Sequence, residues 1–435
     1  MMLDHSDMPN KKADDLLELS QKYVTKITAV EDISVEDSLD RVLSEDIIPA
    51  VAVPSFVRSA VDGFALIASD TGENKITKLR VSQHITAGYS GELKSIESGQ
   101  AAFITTGAPV PPGADAVILI EDVNEYSGGY ITYNKSVKAG SYISPVGDDI
   151  RSGVLLFQSG HKIRLCDIAA LSGIGLKNVK VYKKPVVGIL SGGNELIEPG
   201  KKLPLNKIYD INTTLLKSLI KDAGGVPEVI GVVEDDIDKL TRLLGEAAKS
   251  QKYNLIISTG GTGASFLVLE NKEITNFYDL VPSAIEKTGK LLFHGVRLVP
   301  GKPTSFGIVG KNTPMFALAG WPYSVIMTFG LFLRPFIQKM TNIKNVYQKY
   351  PNVKAKLKED ASSEKGVRKY FQVKLTKEED NIFASIMPLP KPPSAARSIS
   401  PMIKAHGSFV MDEDTTFIPK GETVNVTLND YNAFL

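Results

Sequence analysis

The amino-acid sequence predicts a multidomain protein of the α/β-plus-β class, in which a doubly wound α/β domain lies between two β-rich regions. Three observations support this prediction. The chain has 435 residues, which is too long for one ordinary hydrophobic core. Between residues 183 and 342, strand patterns alternate with helical patterns of about a dozen residues, as in a parallel sheet. Elsewhere, short apolar runs separated by proline and glycine indicate further strands.

The first part of the chain contains two expected helices. Residues 13–29 carry apolar side chains at helical spacing. Ser34 followed by Asp37 resembles a capping box, which would open a second helix through Leu43. From residue 47 to residue 144 the pattern is β-rich, and from residue 354 onward the sequence predicts a small all-β domain.

Composition and charge exclude several classes of protein. The formal net charge is +1, so no global field favours nucleic acid or a membrane surface, and neither is expected as a partner. Cys166 is the only cysteine, which excludes an internal disulfide framework and fits a reducing compartment. No stretch approaches the roughly 18 apolar residues of a membrane helix, and the first residues do not resemble a signal peptide. We therefore expect a soluble cytoplasmic protein.

Glycines and acids directly follow the predicted strands of the α/β region. The strand Leu255–Ser258 runs into Gly260 and Gly261, whose backbone N–H groups could converge on an anion. A tight turn that needs positive φ is the simpler interpretation of these glycines alone. Glu195 and Asp235 follow two other strands. Carboxylates beside a phosphate cradle suit Mg²⁺, although each acid alone is more simply a helix N-cap, Asp235 especially.

Three further features are open to a structural or a functional interpretation. Lys302 lies on a loop stiffened by Pro300 and Pro303, where it can meet an oxyanion or remain a solvated lysine in a turn. Asp62 precedes Gly63 in a pattern that in isolation predicts a hairpin turn. Trp321 is expected to be a packing residue.

Seven segments, taken in order, resemble the MoeA/gephyrin family. They are Pro54–Ala65, Thr105–Asp122, Gly147–Gly153 with Gly160–Ile163, Ser191–Gly200, Asp210–Asn212, Gly260–Gly261 and Pro300–Pro303. The resemblance extends from about Ala13 to Thr427. It implies a homodimer whose subunit has a helical domain (residues 1–46 and 145–182), an inserted β-rich domain (47–144), an α/β molybdopterin-binding domain (183–342) and a C-terminal β-barrel (343–435).

The resemblance also implies a reaction and a set of site residues. Family members insert molybdate into adenylylated molybdopterin in a divalent-metal-dependent reaction that releases AMP, between the α/β domain of one subunit and the β domain of the other. Mg²⁺ is the implied cofactor, and a molybdopterin adenylyltransferase is a further candidate partner. The implied catalytic residues are Lys302, Asp62 and Asp149, and the implied metal ligands are Glu195 and Asp235. The implied pterin-nucleotide-binding residues are Thr106, Ser191, Asn212, Gly260, Gly261 and Thr262.

This chain departs from the family pattern near the expected catalytic end. Val268 stands at the position of a family aspartate, Val299 replaces a lysine, and Ala319 and Trp321 replace a proline and an asparagine. Glu270 or Glu273 could replace the missing carboxylate after a small loop shift. The sequence therefore leaves two hypotheses from different classes: a molybdopterin molybdenumtransferase, and a catalytically weakened paralogue that binds the pterin as a carrier or scaffold. A generic nucleotide-binding protein would leave the Asp62 and Thr106 segments without a role.

Overall fold

The computed structural model describes residues 11–73, 75–233, 236–261, 264–270, 273–343, 351–387 and 399–429. The chain divides into two compact units. We call residues 32–181 the insert unit, and the residues before and after them the main unit. The main unit begins with helix α1 (Ala13–Gln21).

The insert unit consists mainly of strands. They are β1 (Val30–Ser34), β2 (Arg58–Ser59), β3 (Gly63–Leu66), β4 (Thr77–Ile85), β5 (Gln100–Ile104), β6 (Ala116–Leu119), β7 (Glu125–Ser127), β8 (Tyr130–Tyr133), β9 (Ile143–Ser144) and β10 (Asn178–Tyr182), with helix α2 at Leu165–Gly173. Six of these strands form one sheet in the order β6-β3-β5-β4-β8-β7. The β-rich prediction for this region is confirmed.

The second expected helix near the N-terminus is wrong. Ser34 and Asp37 form a turn instead, in which the Asp37 N–H donates to the Ser34 carbonyl at 3.2 Å and to its hydroxyl at 3.1 Å. Asp40 then adopts a positive φ of 63°, and Val42 and Leu43 are buried in bridges to distant strands. The capping pattern was real but local, and long-range pairing outweighed helix propensity.

Helix α1 is also shorter than the sequence pattern predicts. It ends at Gln21, and the β-branched residues Val24, Thr25 and Ile27 follow, which fit a helix less well. The Ile27 N–H donates to the carbonyl of Met340 at 2.9 Å. Pairing with a distant segment therefore replaces the last helical turns.

The α/β part of the main unit lies between residues 186 and 340. Its strands are β11 (Val186–Gly192), β12 (Leu196–Ile197), β13 (Ile208–Tyr209), β14 (Val226–Val233), β15 (Leu255–Thr259), β16 (Ala264–Glu270), β17 (Glu273–Asp279), β18 (Gly289–His294), β19 (Leu298–Val299), β20 (Ser305–Val309) and β21 (Thr313–Leu318). Its helices are α3 (Ile211–Asp222), α4 (Ile237–Lys249), α5 (Leu280–Thr288), α6 (Pro322–Thr328) and α7 (Arg334–Met340), and a π-helical turn at Phe329–Leu333 joins the last two.

The central sheet is doubly wound, as the sequence predicts. Its order is β14-β11-β15-β21-β20-β18, and the first four strands are parallel. Helix α3 packs on one face through Leu216 and Ile220, whereas α4 packs on the other through Leu240 and Leu244. The winding direction therefore reverses between β11 and β15, and ligands of such sheets bind outside the carboxyl ends of the strands at this point.

The C-terminal part of the main unit is a closed barrel. Its elements are β22 (Asn352–Leu357), β23 (Ala361–Ser362), β24 (Arg368–Glu378), β25 (Asn381–Ile386), α8 (Ser400–Lys404), β26 (Gly407–Met411), β27 (Phe417–Ile418) and β28 (Thr423–Leu428). The pairing β24-β25-β22-β28-β26 returns to β24, which closes a ring of five strands. Strand β19 pairs with β24 and so attaches the barrel to the loop of Lys302.

In the described ranges, every helix is too short or too polar to span a bilayer.

Candidate ligand-binding site

Three strand ends meet closely, and at Gly260 a side chain would overlap the neighbouring backbone. A Cβ atom on Gly260 would lie 2.4 Å from the carbonyl oxygen of Gly192, and one on Gly320 would lie 3.4 Å from the Cα of Gly260. Gly260 and Gly261 have φ values of 86° and 64°, which favour glycine. The expected turn is therefore confirmed. The Gly260 N–H donates to the Leu318 carbonyl at 3.2 Å, so this N–H joins two strands and is not directed at an anion.

A cavity of about 650 Å³ opens at these strand ends. This volume lies in the range of small-molecule sites. Six of the residues that the sequence singles out line it: Ser191, Glu195, Asn212, Gly260, Gly261 and Lys302. Thr262 and Asp235 lie outside the described residues.

The floor of the cavity contains buried polar atoms that form no hydrogen bond with the described residues. The hydroxyl of Ser191, a residue only 1% exposed, and the Oδ1 atom of Asn212 accept and donate no hydrogen bond among the described residues. The Asn212 amide nitrogen donates to Thr259 Oγ1 at 3.0 Å and to the Gly320 carbonyl at 2.7 Å, which fixes the side chain. A buried polar group without a partner costs about 1–3 kcal/mol. A polar ligand in this cavity would remove that cost.

The loop of Lys302 is held from both sides. The Val296 N–H donates to the Lys302 carbonyl at 2.8 Å, and the Thr304 N–H and hydroxyl both donate to the Gly301 carbonyl. Although its backbone is fixed, the Lys302 side chain is exposed on the cavity, and no described residue forms an ion pair with it. A cation in this position can meet an anionic ligand without first breaking a salt bridge.

Glu195 is the predicted metal ligand that the structure describes. Its exposed carboxylate folds back over Gly193, where a Cβ atom would lie 2.5 Å from Glu195 Oε2. No hydrogen bond or ion pair joins this carboxylate to another described residue. Within the described ranges, no three acids, histidines or cysteines cluster as a metal site would require. This donor set fits Mg²⁺ bound by one or two carboxylates together with ligand phosphates and water, and it does not fit an all-protein cage.

Asp62 and Thr106 are brought together within the insert unit. The Thr106 N–H and hydroxyl donate to Asp62 Oδ1 at 2.6 and 2.9 Å. These bonds, the backbone one first, hold the pKa of Asp62 below its usual range, so this exposed carboxylate is ionised at neutral pH. Sequence reasoning named both residues but missed their contact, because they are 44 positions apart.

Asp149 lies away from this pair. Two antiparallel segments run between Asp62 and Asp149. At one end the Ala60 N–H donates to the Tyr142 carbonyl, and at the other end Val53 and Ile150 form a β-bridge. Asp149 is exposed at the Val53 end, whereas Asp62 lies just beyond Ala60. Within the insert unit, Asp149 therefore does not join Asp62 in one cluster.

A hairpin that sequence reasoning missed follows the glycine turn. Strands β16 and β17 pair antiparallel, and Glu270 lies opposite Glu273 at the far end. Ala264 and Glu270 are six positions apart along the strand, or about 20 Å. Val268, at the position of the family aspartate, lies two residues before Glu270 on the same strand, and the replacement of that aspartate by Glu270 or Glu273 stays a prediction. The sequence signal that could have predicted this hairpin is a run of apolar and aromatic residues on both sides of a short polar segment.

The departures from the family pattern also have defined positions. Val299 and Trp321 line the cavity and are 42% and 40% exposed, whereas Ala319 is buried. Trp321, which was expected to be a packing residue, therefore has two-fifths of its surface exposed. Val268 lies on β16, opposite Asn276.

A doubly wound domain with a ligand cavity at its switch point, followed by a closed barrel, defines a small-molecule-binding protein. Comparison with known families identifies it further. Residues 11–175 match the profile of the MoeA N-terminal region (domain I and II), and residues 188–339 match that of a probable molybdopterin binding domain.

Relatives and solved structures agree with these matches. A Bacillus subtilis protein named molybdopterin molybdenumtransferase is 31% identical over 403 residues, which cover 91% of this chain and 89% of the relative. A crystal structure of a molybdopterin biosynthesis MoeA protein from Pyrococcus horikoshii has a TM-score of 0.78 and 29% identity, covering 96% of this chain and 100% of that one. A second MoeA structure gives a TM-score of 0.76 and 33% identity over 96% and 98%. The chain belongs to the MoeA family.

Proposed function

We propose that this protein is a cytoplasmic, homodimeric, Mg²⁺-dependent molybdopterin molybdenumtransferase, which inserts molybdate into adenylylated molybdopterin and releases AMP. One observation carries the proposal: a lysine, a carboxylate and unpartnered polar atoms from separate segments line a single cavity at the switch point of a MoeA-family sheet. The cavity is large enough for a pterin nucleotide.

Lys302 would bind the oxyanion. Its backbone is held by hydrogen bonds from both sides, so the loop is already ordered before a ligand arrives. Molybdate and the phosphates of the adenylate are both anionic, and an ammonium group without a competing carboxylate favours them. The hydroxyl of Ser191 and the Oδ1 atom of Asn212 would complete the polar floor, beside the turn of Gly260, Gly261 and Thr262.

Glu195 and Asp235 would hold Mg²⁺. The carboxylate of Glu195 is not engaged by any described residue, which supports its availability as a ligand. When bound, Mg²⁺ neutralises charge on the phosphoanhydride as water attacks. Lys302 supplies a second positive charge, and the floor residues position the nucleotide.

Asp62, Thr106 and Asp149 would come from a second subunit. The hydrogen bonds from Thr106 fix the position of the Asp62 carboxylate and lower its pKa further. The insert unit also carries exposed apolar side chains along two paired segments, and a second copy of the chain is the occupant we propose for them. These side chains are Ile48, Val51, Phe56, Val146, Val154 and Leu155. A molybdopterin adenylyltransferase would supply the adenylylated substrate.

Release of AMP tests this proposal directly. Purified protein is incubated with Mg²⁺, molybdate and adenylylated molybdopterin, and AMP is quantified by chromatography. We expect turnover, and a loss of about 100-fold or more in Lys302→Met, since a charge that stabilises the transition state is removed. Lys311→Met is the matched control. This exposed lysine lies in the turn between β20 and β21, at the end of β21 that is far from the cavity.

A second candidate function has its own support. Val299 places an apolar group on the cavity where the family has a lysine, and the β16–β17 hairpin carries Glu270 and Glu273 away from the turn. Tight binding of adenylylated molybdopterin without AMP release would reject the enzyme and favour a carrier or scaffold.

A further inference from the structure

The one tryptophan of the chain lies in the wall of the cavity. Trp321 is 40% exposed, although tryptophan is normally highly buried. The residues around it behave differently: Ala319, Pro322, Tyr323 and Ser324 are all buried. Because Trp321 lines the cavity, exposed surface of this residue borders the space that a ligand would occupy.

The backbone that carries this ring is fixed. The Val325 N–H donates to the Trp321 carbonyl at 3.0 Å, and Pro322 restricts the backbone that follows. On the other side, the Gly320 carbonyl accepts the Asn212 amide at 2.7 Å. The Cα atom of Trp321 therefore lies about 3.8 Å, one Cα–Cα step, from that of Gly320, the residue that abuts Gly260. An aromatic side chain thus lies directly beside the strand-end turn of the cavity.

An indole in the wall of a cavity that also contains Lys302 suits one ligand chemistry. Flat nitrogen heterocycles such as purines and pterins stack on aromatic faces, and the anionic group attached to such a ring can be bound by Lys302. Serine, asparagine and lysine side chains alone would recognise the anion and would leave the ring unbound. The MoeA resemblance places an asparagine where this chain has Trp321, so the aromatic surface is a property of this chain.

We propose that Trp321 is the stacking platform for the flat heterocycle of the ligand and determines the affinity of this cavity for it. This inference rests on the proposed function, since it names the part of the pterin nucleotide that Trp321 contacts. The rival within the same cavity is Tyr209, which also lines it and is 39% exposed, with its hydroxyl donating to the Lys201 carbonyl at 3.0 Å.

Fluorescence of this single tryptophan provides the test. The full-length protein is titrated with AMP, with unsubstituted pterin and with ribose 5-phosphate, which has a phosphate but no heterocycle. We expect AMP or pterin to quench Trp321, and ribose 5-phosphate to leave its emission unchanged. The AMP and pterin titrations distinguish which of the two rings stacks here. Equal quenching by ribose 5-phosphate would overturn the proposal.

Variants separate stacking from a structural role. By equilibrium dialysis, Trp321→Ala should weaken binding of the ring-containing probe about five- to 150-fold, the range of base stacking on aromatic side chains. Binding of ribose 5-phosphate should not change, and Trp321→Phe should restore most of the affinity. Phe417→Ala, which removes a ring that is 55% exposed on the barrel, is the control.

Two outcomes separate this inference from the proposed function. If wild-type protein releases AMP from adenylylated molybdopterin and Trp321→Ala binds AMP and pterin as tightly as wild type, or if only Tyr209→Leu loses that binding, the inference is wrong and the proposed function stands. If wild-type protein binds none of the probes and releases no AMP, both are wrong.

Discussion

The floor and the rim of the cavity differ in how strongly the fold restricts the residue at each position. The floor contains a close backbone contact: a Cβ atom on Gly260 would lie 2.4 Å from the Gly192 carbonyl oxygen, so this position excludes any side chain. The rim is side chain: Val299 and Trp321 are both about two-fifths exposed, and each lies on a backbone whose bonds do not depend on its identity. A floor residue is therefore set by the fold, whereas a rim residue can change while the fold is kept. Two departures from the family pattern, Val299 and Trp321, occur at this rim, whereas Ala319 is buried and Val268 lies on β16.

The floor should be the part most sensitive to substitution. In Gly260→Ala the new Cβ would lie 2.4 Å from the Gly192 carbonyl oxygen at a φ of 86°. We expect a loss of about 3–5 kcal/mol in the free energy of unfolding, from steric overlap and backbone strain. Urea denaturation measures it.

Gly245→Ala is the matched control for that variant. Gly245 lies in helix α4, and a Cβ atom there would have no neighbour within 4 Å. This variant should gain about 0.5–1 kcal/mol from helix propensity. Equal stability of the two alanine variants would mean that the strand ends do not meet as described.

The rim should respond in activity and not in stability. Val299→Lys restores the family's cation on a side chain that already faces the cavity. We expect the rate of AMP release to rise about tenfold, corresponding to about 1.4 kcal/mol of added charge stabilisation. The melting temperature should stay within about 2 °C of wild type, because the residue is exposed. An unchanged rate would indicate that this position lies outside the reacting part of the ligand.

Substitution of Ser191 should have the smallest effect of these variants, and its effect on stability should differ between ligand-free and ligand-bound protein. Its buried hydroxyl lacks a partner among the described residues, so Ser191→Ala should leave the ligand-free protein as stable or more stable by up to about 1 kcal/mol. Binding of the adenylate should weaken about fivefold, because one hydrogen bond is lost. Calorimetry measures both. A destabilised ligand-free protein would show that the hydroxyl already has a partner.

Much of the main unit could be predicted from the sequence, for a physical reason. A strand buried on both faces, such as Val186–Gly192, is apolar up to Ser191, and the helices between strands have their own period. These signals are local. The positions of glycines and of Glu195 relative to strand ends follow from them, whereas Ser191, Asn212 and Lys302 were expected in the same site because of the family resemblance.

The parts that sequence reasoning missed depend on distant partners. Leu43 is extended because it pairs with Val181, and no local rule contains that bridge. The hydrogen bonds from Thr106 to Asp62 join two turns far apart in the chain. Tryptophan is usually a core residue, and only the meeting of three strand ends in the folded chain places Trp321 on a cavity.

The central claim is that Lys302 of one subunit and Asp62 of another complete a single active site, and mixed dimers test it most directly. Asp62→Asn and Lys302→Met are prepared separately, each nearly inactive, and are then dissociated together and reassembled. A shared site predicts that random mixing restores about a quarter of the wild-type rate of AMP release, because half of the dimers then contain one intact site out of two. A mixture as inactive as either variant alone would contradict the claim.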